Sequence, residues 1–110
     1  MDTKIKNLAK SEILKLTEQV DYLTGQIVSK TLTQNDYVSL TLFAFDKDEE
    51  ISTHESTGDA MVTVLDGTGK FTIGGKEYIL NAGETIVMPA KVPHAVYGQE
   101  KFKMLLTVIF

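Results

Sequence analysis

The chain has 110 residues, 43% of them apolar, which suits one domain with an ordinary core; it has no cysteine, which excludes disulfide bonds. Its formal net charge of −4 does not fit the basic face that nucleic-acid binding needs, so we expect no nucleic-acid partner. No stretch approaches the roughly 20 apolar residues of a membrane helix. Residues 1–7 also lack the apolar run of a signal peptide, so we expect a cytoplasmic location and no membrane partner.

Residues 1–25 have no single hydrophobic period. Leu16, Val20 and Leu23 fall at helical spacing, whereas Leu14 and Leu16 alternate with the polar Lys15 between them. This pattern predicts a short strand at 13–16 and then a single helical turn capped by Thr17. We expect this N-terminal segment to pack on a second unit, residues 26–110.

From residue 26 onward, apolar residues recur with a period of two, which is typical of half-buried strands. Turn signals interrupt the pattern at 34–36, at Asp66-Gly67 and at Gly74-Gly75, where the two glycines predict a tight hairpin. Many short, evenly spaced strands predict an all-β protein with a closed barrel or a sandwich. The predicted strands are 26–32, 37–45, 51–54, 61–65, 70–73, 76–80, 84–88, 94–97 and 102–110.

Two segments carry a resemblance to a known family. The first, 54–67, begins His54-Glu55-Ser56 and ends at Gly67; the second has Gly83, then five residues, then Pro89, and His94 further on. They are similar to the two signature motifs of the cupin superfamily. The resemblance covers about residues 26–110 and implies an antiparallel jelly-roll barrel, also called a double-stranded β-helix, with one internal pocket.

In that family, two histidines and a glutamate of the first motif and one histidine of the second hold a divalent metal. Carried over to this chain, the resemblance implies His54 and His94 as metal ligands. Ser56 stands at the second histidine position and Ala60 at the glutamate position. The implied site is therefore degenerate, and any zinc, iron, manganese or nickel ion would be weakly held.

The period of a strand groups the candidate pocket residues. Residues 54, 56, 60, 62 and 64 share parity, so His54, Ser56, Ala60 and Val62 are expected to face the pocket together. Glu55 and Asp59 have the opposite parity, although a bulge near residue 58 would turn Asp59 inward as a third ligand. The candidate ligand-binding residues are His54, Ser56, Ala60, Val62, Met88 and His94.

Two functional hypotheses remain open. In the first, the protein is a binding module whose barrel holds a small organic molecule, with or without a metal. In the second, it is a metal-dependent cupin enzyme of the oxygenase or isomerase type. The apolar C-terminal strand, 102–110, and the N-terminal segment further predict a homodimer, because jelly-roll sheets leave edges that need protection.

Overall fold

The computed structural model describes residues 4–110, so the first three residues of the predicted segment 1–25 lie outside the described residues. Within 4–110 the chain forms a short 3-10 helix, Leu16–Glu18, and seven β-strands. None of its helices in that range has the length and hydropathy of a membrane span. The strands are β1 Ile27–Gln34, β2 Val38–Phe45, β3 Glu50–His54, β4 Asp59–Ile73, β5 Lys76–Asn81, β6 Thr85–Met88 and β7 His94–Ile109.

The two longest strands, β4 and β7, pair with each other along most of their length and organise the barrel. The sheet runs β1-β2-β7-β4-β5, while β6 joins the first part of β4 and β3 joins the first part of β7. Every pairing is antiparallel. The all-β jelly-roll prediction is confirmed.

The predicted turn at Asp66-Gly67 is wrong, because β4 continues through it. The register of β4 against β7 shifts between Val64 and Asp66 and again between Gly67 and Gly69, which marks a bulge. Gly67 has φ +75°, and a Cβ atom there would lie 1.8 Å from the carbonyl oxygen of Lys101. The glycine therefore serves a close backbone approach inside one strand, and pairing resumes beyond it.

The inward-facing residues fill one end of the barrel. Val62 and Val64 are fully buried, as are the three rings of Phe45, Phe71 and Phe102. The Phe45 and Phe102 rings stack with their centroids 4.6 Å apart. These aromatic side chains occupy one end of the interior, and the other end is left open as a cavity.

The N-terminal segment lies on the outer face of the sheet. Val20 is buried there against Leu32, Leu42 and Ala44, with Leu16 packed beside them. The Tyr22 hydroxyl donates a hydrogen bond of 2.6 Å to the Asp66 carboxylate, which anchors the segment to β4. This contact and the apolar cluster hold the segment in place.

The predicted strand over residues 13–16 is not formed. Ile13 is fully exposed, and the 3-10 helix begins at Leu16. The residue before it is Lys15, which makes no side-chain cap, and the predicted cap Thr17 lies inside the helix. The segment folds as a turn because Leu16 and Val20 pack on an existing sheet and need no strand partner.

Candidate functional site

The open end of the barrel contains a cavity of about 420 Å³. Most of its wall is apolar and buried: Ala60, Met88, Val96 and Met104 are each no more than 3% exposed. The polar side chains of the wall come from the end of β3, the loop after it and the start of β7. The lining residues are Ile51, His54, Glu55, Ser56, Thr57, Ala60, Met88, His94, Val96, Met104, Leu106, Val108 and Phe110.

His54 and His94 form a pair at this cavity. His54 ends β3 and His94 begins β7, and the two residues are partners in the β3–β7 register. Their ring centroids are 4.3 Å apart, and the two Nε2 atoms are separated by 3.1 Å. His54 is exposed at the opening of the cavity, whereas His94 is only 3% exposed. Strand pairing thus joins two residues that are 40 positions apart in the sequence.

Backbone carbonyls orient both imidazole rings. The Nδ1 of His54 lies 2.9 Å from the carbonyl oxygen of Ser52, and the Nδ1 of His94 lies 3.1 Å from that of Val92. A carbonyl oxygen can only accept, so each Nδ1–H donates, and in the neutral rings both Nε2 atoms carry a lone pair. Two lone pairs 3.1 Å apart repel each other unless a proton, a metal ion or a ligand donor lies between them.

Burial favours the neutral form of the His94 imidazole. Desolvation lowers the pKa of His94, the hydrogen bond to the Val92 carbonyl opposes part of this shift, and the nearby His54 lowers the pKa further. A neutral imidazole is the form that binds metals. The Nε2 atom of His94 is therefore available to bind a metal ion or to accept a hydrogen bond.

The pair could hold a divalent metal ion. His54 and His94 would bind it through their Nε2 atoms, which lie 3.1 Å apart. Among residues 4–110, no cluster of three or more histidine, aspartate or glutamate side chains is arranged to hold an ion. Water or a bound molecule would supply the other ligands of such an ion.

The other candidate residues divide into two groups. Ser56, Ala60 and Met88 line the cavity, and Ala60 and Met88 are register partners in β4 and β6. Val62 is not one of the residues that line the cavity, although it shares their parity: its side chain is fully buried in the core. The Ser56 hydroxyl oxygen accepts a hydrogen bond of 3.2 Å from the Gly58 amide.

The two carboxylates near His54 have different surroundings. Asp59 accepts a hydrogen bond of 2.8 Å from the Ala90 amide and is not part of the cavity wall. Glu55 does line the cavity, contrary to its parity. The strand ends at His54, so the alternation of a strand no longer governs the residue that follows.

The predicted site residues included only His94 from β7, although further residues of this strand form part of the apolar wall. Val96, Met104 and Val108 line the cavity at alternate positions of that strand. Their even parity was visible in the sequence. Apolar residues at the odd positions obscured this pattern. They are apolar because the outer face of β7 is also covered: Leu105 packs there against the cluster that contains Val20 of the N-terminal segment.

Fold and site together define a jelly-roll barrel with a histidine pair at the opening of an apolar cavity. The family model of the cupin domain matches residues 41–110. The chain belongs to the cupin superfamily.

Solved structures resemble nearly the whole chain. A conserved protein of unknown function from Streptococcus pyogenes is 44% identical, with a TM-score of 0.96 over 98% of this chain and 95% of that one. A cupin superfamily protein from Desulfitobacterium hafniense is 30% identical, with a TM-score of 0.93 over 98% of this chain and 99% of that one.

A more distant structure shares the fold alone. Salicylate 1,2-dioxygenase from Pseudoaminobacter salicylatoxidans is 15% identical, with a TM-score of 0.70 over 84% of this chain and 27% of that one. Among curated proteins, none matches the sequence.

Proposed function

We propose that the protein is a binding module that holds a small, largely apolar organic molecule in its barrel. The observation that carries this proposal is the convergence of two imidazole lone pairs on an apolar cavity of about 420 Å³. That volume lies within the range of roughly 300–1,000 Å³ typical of small-molecule sites. The apolar wall would bury the body of the ligand, and the histidine pair would fix its polar end.

We further propose that a divalent metal can bridge His54 and His94 weakly. Structural zinc sites bind with about 10–16 kcal/mol over four ligands, or about 2.5–4 kcal/mol per ligand. Two ligands would then give a dissociation constant between about 1 µM and 0.2 mM. Imidazole nitrogen is a suitable ligand for zinc(II), iron(II) and nickel(II). When bound, such an ion would act as a Lewis acid toward the ligand in the cavity.

A metal-dependent enzyme of the oxygenase or isomerase type is the second candidate. The coordination positions that two histidine ligands would leave open on such an ion favour it. The weak two-ligand site favours the binding module, because a catalytic ion has to stay bound through each turnover. Metal content decides between the two candidates.

Untagged protein should be tested by elemental analysis and by titration calorimetry with nickel(II) and manganese(II). Weak binding that is lost in both His54→Ala and His94→Ala supports the binding module with a bridging ion. Stoichiometric metal that survives purification would favour the enzyme. Native mass spectrometry of the same samples should detect an organic molecule that is carried in the cavity.

We also propose that the protein is a homodimer that pairs through the outer face of β4, β6 and β7. Met61, Val87 and Ile109 are 42%, 52% and 57% exposed, and Met61 and Val87 are register partners. In a two-fold interface each patch meets its own copy, so a charged patch would repel itself. Apart from Asp59 at the edge, this face is uncharged: threonines 63, 85 and 107 complete it.

Light scattering should give a mass near twice 12.2 kDa, and Val87→Lys should shift it to the monomer. A monomer mass for the unmodified protein would contradict the dimer. A cytoplasmic location and the lack of nucleic-acid and membrane partners stay predictions.

A further inference from the structure

The polar wall of the cavity is dominated by hydrogen-bond acceptors. His54 and His94 both donate through Nδ1 to backbone carbonyls, so their Nε2 atoms face each other as acceptors. Apart from the two histidines, Glu55 is the one ionisable side chain among the described residues that line the cavity, and a carboxylate accepts as well. Ser56 and Thr57 contribute hydroxyl groups, which are neutral.

Among the described residues that line the cavity, no cationic side chain lies beside these acceptors. The chain contains no arginine, and no lysine belongs to the described wall of the cavity. An anionic ligand would exchange its water for two imidazole lone pairs, a carboxylate and at most the two neutral hydroxyl donors of Ser56 and Thr57, and a charge that loses its hydration without an opposite charge is disfavoured. Carboxylates and phosphates are therefore poor candidates for the metal-free site.

A protonated amine can satisfy the hydrogen-bond acceptors of this wall. One ammonium nitrogen placed about 2.9 Å from each Nε2 would donate to both, and the 3.1 Å between the two acceptors allows N–H···N angles of about 150°. Such an ion relieves the repulsion between the lone pairs, and the Glu55 carboxylate at the opening adds an attraction of opposite charge. The apolar part of the ligand would extend inward between Met88 and Met104, whose flexible thioethers adapt to irregular shapes.

We infer that the metal-free cavity selects small apolar primary amines over carboxylates of the same size. This inference rests on the proposed binding function and names its ligand class. The histidine pair is the anchor for the amine, and Glu55 sets the charge preference.

Three probes of matched shape test the inference: phenethylamine, 2-phenylethanol and phenylacetate, titrated by calorimetry at pH 7.5 with a chelator present. Phenethylamine should bind at least about tenfold more tightly than phenylacetate, with the alcohol between them. Glu55→Gln should weaken the amine by about threefold to tenfold and leave the alcohol unchanged. The matched control is Glu50→Gln, an exposed change on β3 outside the cavity wall, which should alter none of the three affinities.

The outcomes distinguish a failure of the amine inference from a failure of the proposed binding function. Equal or tighter binding of phenylacetate, or an amine affinity that Glu55→Gln leaves unchanged, would overturn the amine inference while the binding function stands. Failure of all three probes would count against the binding function itself, and the amine inference would fall with it.

Discussion

Replacing Ser56 with histidine should restore a third nitrogen ligand to the metal site. Ser56 lines the cavity in the loop that follows His54, and its half-buried side chain faces the same space as the histidine pair. One further ligand is worth about 2.5–4 kcal/mol, so the variant should bind nickel(II) about 100- to 1,000-fold more tightly than the unmodified protein. A dissociation constant near 10 µM would thus fall to about 10–100 nM.

Competition calorimetry against a chelator of known affinity measures this change at pH 7.5. The matched control is Lys76→His, which adds a histidine on the exposed hairpin and outside the cavity wall. The reasoning fails if Ser56→His gains less than tenfold, or if Lys76→His gains as much. Adding Ala60→Glu should tighten nickel(II) binding further. A carboxylate at this buried position has no other positive partner, so a bound ion would stabilise it.

Three further predictions concern stability. Because the pKa of His94 is lowered in the folded state, the unfolded chain binds the proton more readily. The free energy of unfolding should be undiminished above about pH 6.5, the unperturbed value, and should fall as the pH drops from there toward the folded pKa. Urea unfolding at pH 7.5 and 5.5 should show this loss, and His94→Gln should reduce it; an identical loss in the variant would refute the assignment. Gly69→Ala would bring a Cβ atom within 2.9 Å of the buried rings of Phe71 and Phe102, so we expect a loss of about 1–3 kcal/mol from overpacking, and an unchanged urea midpoint would contradict it. Tyr22→Phe removes the hydroxyl that anchors the N-terminal segment and should cost about 1 kcal/mol by the same measurement, whereas no change would mean that the apolar cluster alone holds the segment.

The class of fold and most of the strands could be predicted from local patterns in the sequence. Alternation along 60–64 put Ala60, Val62 and Val64 on the inner face, where all three are buried. The glycine pair predicted the hairpin between β4 and β5, and Gly74 and Gly75 do adopt positive φ values of 56° and 84°. These features are local, because the period of a strand and the chemistry of a tight turn are encoded in neighbouring residues.

The ends of the elements could not be predicted from the sequence alone, because the pairing partners of a strand determine where it ends. Asp66-Gly67 resembles a turn, but the neighbouring strand β7 continues to pair across it, and the glycine becomes a bulge. Residues 13–16 have an alternating pattern without a strand partner, and burial of Leu16 and Val20 on the sheet shapes them as a turn. Long-range packing overrides the local conformational propensity of a segment where the packing contributes more free energy.

The geometry and the lining of the site depend on tertiary contacts. The sequence predicted that His54 and His94 share a pocket, but the separation of 3.1 Å and the backbone carbonyls that orient both rings depend on the β3–β7 register. It also grouped Val62 with the pocket, whereas the packing of the core buries this side chain completely. Glu55 reaches the cavity because β3 stops one residue earlier. Register, packing and strand ends arise from contacts between distant residues, and a single sequence carries no direct record of those contacts.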